Sequence, residues 1–121
     1  MHQQTAGTAL SAFAAAIAAH DWVALRGVLA DDATVTLVHT GEQLDADGFV
    51  AFNRDYPAAW VFHTDEVVDA GPRGVLRART TVDGETYHVA TFGSVDPDGR
   101  LTDLLEVWTE AVAPHPERGT S

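Results

Sequence analysis

Residues 85–110 read ETYHVATFGSVDPDGRLTDLLEVWTE, and the pairing of this stretch with itself decides the fold. Two runs rich in β-branched and aromatic residues flank Asp96-Pro97-Asp98-Gly99, the composition of a hairpin. The connection fits a type I turn closed by a left-handed glycine, which pairs Asp96 with Arg100. Counting back along an unbroken ladder sets Phe92 against Leu104, Ala90 against Glu106 and His88 against Trp108. Strand side chains alternate between faces. One face is therefore expected to carry His88, Ala90, Phe92, Leu104, Glu106 and Trp108, and the other Val89, Thr91, Asp103, Leu105 and Val107. The first face places a carboxyl and an imidazole as diagonal neighbours, about 7–8 Å apart at the backbone. Ala90 leaves open volume beside them.

Working outward, WVFHTDEVVDA and GVLRARTTV read as two earlier strands, separated by the turn sequences GPRG and DGE. A two-residue type I′ turn at Asp83-Gly84 pairs Val82 with Glu85 and sets Arg79 opposite His88. A one-residue change in that turn sends Arg79 outward and brings in Leu76 and Ala78. Nearer the N-terminus, Leu10, Phe13 and Ile17 recur at helical spacing in TAGTALSAFAAAIAA. Asp21 is a natural N-cap for WVALRGVLA, which Asp31 and Asp32 end, and ATVTLVHT follows as a strand. Asp45 or Asp47 caps a third helix, ADGFVAFNRDY, stopped by Pro57. Segregated helices followed by hairpins predict an α+β domain with a mostly antiparallel sheet. If the sheet curls, the space under the helices becomes a pocket.

Composition narrows the function classes. The chain has 121 residues, 7 basic against 18 acidic, a net charge of −11 and no cysteine. Phosphate neutralisation needs clustered cations, so nucleic acid is not an expected partner, nor is an anionic membrane surface. Disulfides and thiolate chemistry are excluded. With no basic segment ahead of the Ala-rich stretch and no membrane-length apolar run, a cytoplasmic protein is expected. The six histidines show no metal-binding spacing, and no phosphate loop or nucleophile elbow is present. No metal or cofactor is expected.

Glu106, His88 and Arg79 are the candidate catalytic groups: Glu106 as base or charge partner, His88 as proton donor or acceptor, Arg79 as orienting cation. A carboxylate in apolar surroundings is costly unless paired. The plain alternatives are a structural Glu106–Arg79 ion pair and a core histidine. His39 and His63 are candidate pocket contacts. Trp22, Tyr56, Trp60, Phe92 and Trp108 are candidates to line a cavity for a planar or apolar ligand.

HDWVALRGVLADDATV after the first helix and DGRLTDLLEVW in the last strand, in this order and spacing, resemble the nuclear transport factor 2-like superfamily. It includes SnoaL-like polyketide cyclases, ketosteroid isomerases and limonene epoxide hydrolases. The resemblance implies a cone-shaped α+β barrel, three helices on a strongly curved sheet around a central pocket. One SnoaL-like domain is expected over residues 1–111, and the two prolines of APHPERGTS, with no apolar residue after Ala113, predict a flexible tail at 112–121. Ketosteroid isomerases carry a Tyr in the first helix, an Asp in the first strand and an acid in the penultimate strand. The matching positions are Phe13, Leu37 and Ala90, none able to transfer a proton. The epoxide hydrolase positions match His88, Ala90 and Glu106. Phe13, Leu37, Ala90 and Leu104 join the expected substrate contacts. The expected function is a small-molecule enzyme acting on a small apolar or aromatic substrate by acid–base chemistry, by isomerisation, cyclisation or epoxide opening. The alternatives are a non-catalytic binder of a hydrophobic small molecule and an accessory dimerisation domain with a filled cavity. A homodimer is expected through an outer sheet face carrying Leu105, Val107, Val89 and Tyr87.

Overall fold

The computed structural model describes residues 5–110; the expected tail at 112–121 lies outside them. The elements run α1 (Ala6–Ala19), α2 (Trp22–Val28), β1 (Leu29–Leu37), β2 (Glu42–Asp45), α3 (Ala46–Arg54), β3 (Trp60–Ala70), β4 (Arg73–Val82), β5 (Glu85–Val95) and β6 (Leu101–Glu110). Each helix starts where a side chain satisfies an otherwise orphaned amide. Thr5 accepts from the Thr8 amide, Asp21 from Ala24 and Asp45 from Gly48. Asp45 therefore caps α3, while Asp47 lies in its first turn and takes the Arg26 guanidinium at 2.8 Å.

One six-stranded sheet is ordered β2-β1-β6-β5-β4-β3. Among the described residues its only parallel pairing is β1 with β6. The three helices cover one face, burying Leu10, Phe13, Ile17, Leu25 and Phe49 against Val35, Leu76, Val89, Leu101 and Leu104. Phe13 and Phe49 stack at 5.7 Å, joining α1 to α3. Two details differ from expectation. The second helix stops at Val28, and Asp31 and Asp32 already belong to β1; Asp31 is held there by Arg26 and Arg100. The short strand β2 was not expected, because EQLD carries no apolar alternation.

The register of β5 with β6 places the site. The turn forms as read: the Asp96 amide donates to the Arg100 carbonyl, and Gly99 has φ +81°. The next pairs are Val95–Leu101 and Ser94–Asp103, so Thr102 is an extra residue. A one-residue bulge reverses which side chains share a face. Thr91, not Ala90, pairs with Glu106, and Val89, not His88, pairs with Trp108. The helix-covered face of this hairpin thus carries Tyr87, Val89 and Thr91 with Leu104, Glu106 and Trp108. His88, Ala90 and Phe92 face outward with Leu105 and Val107. The Asp83-Gly84 turn has positive φ at both residues, and Val82 pairs with Glu85, as its sequence implies. Arg79 does lie opposite His88, but both are on the outer face.

Candidate functional site

A cavity of about 380 Å³ opens between α3 and the concave face of the sheet. α3 contributes Phe49, Phe52 and Asn53, and Tyr56 follows one turn later. These four occupy i, i+3, i+4 and i+7, a single helical stripe. Trp60 and Phe62 enter from β3, Thr80 and Val82 from β4, Tyr87 from β5, and Glu106 and Trp108 from β6. Leu37 ends β1 beside Glu106, and His39 lies just beyond it.

Glu106 is 4% exposed. Its carboxyl is gripped by two neutral donors: Thr91 Oγ1 donates to Oε2 at 2.9 Å, and Trp108 Nε1 donates to Oε1 at 3.0 Å. Each oxygen keeps acceptor capacity beyond its one bond. Among the described residues no arginine lines the cavity, and the sequence contains no lysine. Burial pushes the Glu106 carboxyl above the usual carboxylate range, and the bonds from Trp108 and Thr91 oppose that shift without cancelling it. Arg79 and Arg77 are engaged on the surface instead. Arg79 Nε donates to Asp65 at 3.0 Å, and Arg77 binds Glu66 and Asp65. Asp65 sits at a bulge in β3, between Thr64 and Glu66.

The structure brings together Glu106, Leu37, His39, Tyr56, Trp60 and Trp108 around the cavity. It separates the others from it. His88 and Arg79 are placed outward by the Thr102 bulge, so the expected Glu106–His88–Arg79 trio is not assembled. Ala90 and Phe92 follow His88, and Phe92 is 39% exposed. His63 alternates away from the inward Phe62 and pairs with Arg79 on the outer face. Phe13 and Leu104 point inward but are sealed in the core. Trp22 lies over a shallow surface depression and stacks on His20, which in turn meets Trp60 in a tilted contact at 4.3 Å. Thr91, Thr80, Phe49, Phe52 and Asn53 were absent from the sequence-based site. The α3 stripe was readable from its spacing; Thr91 was hidden by the bulge.

Known proteins share this architecture. A family model described as a SnoaL-like domain matches residues 10–111. A Kribbella flavida protein provisionally called a ketosteroid isomerase superposes with a TM-score of 0.85 at 22% identity, covering 98% of this chain and 89% of that one. An NTF-2 like protein of unknown function from Burkholderia xenovorans gives 0.81 at 18% identity, covering 93% and 88%. An epoxide hydrolase from M. tuberculosis gives 0.70 at 18% identity, covering 86% and 82%. At these identities the likeness is one of fold. No curated protein matches the sequence.

Proposed function

The chain belongs to the SnoaL-like domain family, and from that premise we propose that it is an acid–base enzyme acting on a small, largely apolar or aromatic molecule. Glu106 is the base. The carrying observation is its carboxyl: buried at the cavity wall, bonded to Thr91 and Trp108, and without an arginine or lysine around the cavity among the described residues. A carboxylate held out of water is a stronger base than one in water, and its conjugate acid can return the proton to a second atom of the substrate. Removal of a proton, from a carbon acid or from an attacking water, is the step common to isomerisation, cyclisation and epoxide opening. The aromatic walls supply apolar binding area.

A second reading is a non-catalytic binder of a hydrophobic small molecule. It is favoured by Phe13, Leu37, Val89 and Thr91, none of which can transfer a proton as an acid. Turnover separates the two. The test is deuterium incorporation from heavy water into a panel of cyclic and aryl ketones, with aryl epoxides as a second panel. Glu106→Gln is expected to lower whichever rate is found by about 10²–10⁴-fold. An unchanged rate in Glu106→Gln contradicts the role. Tight binding without turnover favours the binder.

Homodimerisation belongs to the same proposal. The bulge corrects its membership: Val89 and Tyr87 face inward, while Phe92, Leu105 and Val107, 39–42% exposed, form the outer apolar patch. Cross-strand pairing continues it through Val75 to Val68. No described helix is long and apolar enough to cross a membrane. A cytoplasmic setting is proposed on composition alone, the chain having no cysteine to exploit an oxidising compartment.

A further inference from the structure

We propose that Thr80 anchors the far end of the ligand: the cavity takes an elongated, uncharged, mostly apolar molecule whose carbonyl oxygen accepts a hydrogen bond from Thr80 Oγ1 while its other end lies against Glu106. The inference rests on the cavity being the site, as proposed above, but not on Glu106 transferring a proton. Thr80 is 7% exposed and lines the cavity. Among the described residues its hydroxyl is the one buried side-chain polar atom without a hydrogen-bond partner. Buried hydroxyls are nearly always partnered, and one left alone destabilises the fold. Valine would occupy the same volume on the same strand. The other inward side chains along this part of β4, Leu76, Ala78 and Val82, are all apolar. The hydroxyl therefore stands out in an apolar row. No hydrogen bond holds its χ1 angle, so a change of rotamer that carries Oγ1 towards the lumen breaks none.

The sheet register sets the ligand's length. Thr80 pairs with Tyr87, which pairs with Glu110, whereas Glu106 pairs with Thr91. Thr80 and Glu106 are thus two strands and four residues apart, roughly 16 Å between Cα atoms. Side chains converging over a concave face shorten this to on the order of 10 Å between functional groups. That is too far for Thr80 to touch an oxygen adjacent to the atom at Glu106. It suits a carbonyl carried at the far end of two fused rings. Such a remote contact orients the substrate and fixes which atom meets the carboxyl. Charge selects further. Glu106 and Glu110 line the cavity without an arginine, so a carboxylate or phosphate ligand meets repulsion.

Three probes share one ring system: 2-acetylnaphthalene, 2-ethylnaphthalene and 2-naphthoate. Their binding is read by quenching of tryptophan fluorescence, since Trp60 and Trp108 line the cavity. The wild-type preference for the ketone over the ethyl compound is expected to fall about threefold to tenfold in Thr80→Val and to be retained in Thr80→Ser. Naphthoate binds weakest throughout. Thr80→Val melts at the same or a higher temperature. An identical preference in wild type and Thr80→Val overturns the proposal, as does naphthoate binding tightest, or a Thr80→Val protein that melts lower or fails to fold. Glu106→Gln keeps the ketone preference. Loss of exchange in that variant, beside an unchanged preference in Thr80→Val, leaves the base intact and removes only the anchor. Unchanged exchange beside a lost preference does the reverse.

Discussion

Glu106 carries the account at the scale of single residues, because its surroundings pull its proton affinity in opposite directions. Desolvation favours the neutral acid, and the two donors favour the anion; desolvation prevails. The folded protein therefore binds this proton more tightly than the unfolded chain. The stability so gained is fully present below the unfolded value near 4.3 and is lost as pH rises through the folded value. Glu106→Gln, which cannot ionise, is accordingly expected to gain in melting temperature relative to wild type as pH is raised from 4 to 8. A pH-independent difference in calorimetry contradicts this. Thr91→Val removes one donor without changing shape. It is expected to cost about 1–3 kcal/mol of stability, and to move the acidic limb of any pH–rate profile, where the base must lose its proton, to higher pH. His88→Ala and Arg79→Ala, on the outer face, are expected to leave turnover unchanged. The exposed Arg79–Asp65 pair contributes under about 1 kcal/mol.

At the scale of elements, the turns were legible in the sequence and the bulge was not. Asp83-Gly84 and Asp96-Pro97-Asp98-Gly99 dictate backbone angles that few other sequences adopt, so two hairpins and the Val82–Glu85 pairing could be read directly. Thr102 carries no such mark. An extra residue in a strand is favoured by what the curving sheet must bury, and that depends on α1 and β1 at the same time. The α+β architecture and the place of Glu106 survive this slip because β6 was read on the correct face, while β5 was read on the wrong one. The α3 stripe of Phe49, Phe52, Asn53 and Tyr56 shows a different loss: its periodicity was visible, but nothing local says that the stripe borders empty space. Close packing at β5 gives a test at this scale. A Cβ on Gly93 would lie 3.1 Å from Leu101 and 3.2 Å from Leu10, so α1 sits almost on the strand. Gly93→Val is expected to destabilise by about 1–3 kcal/mol in denaturant titration. A neutral result would mean that α1 yields readily.

Across the whole molecule, the sheet has two faces with separate tasks. The concave face is closed by helices except over the cavity, and the outer face leaves Phe92, Leu105 and Val107 partly exposed. A proposed dimer on that outer face would bury the apolar patch and leave the cavity accessible. Leu105→Glu is expected to convert a dimer to monomer in light scattering while the cavity keeps its ligand preference; a mass unchanged by the substitution removes this face from the interface. The same division explains the charge pattern, with arginines spent on surface carboxylates and the interior acid left alone. The most direct test of that division is a carbon-13 NMR titration of the Glu106 side-chain carboxyl. A midpoint above the ordinary glutamate value near 4.3 is predicted, with a further rise in Thr91→Val. A midpoint at or below that value, unmoved by the Thr91 substitution, would contradict a buried carboxyl held in the cavity by neutral donors.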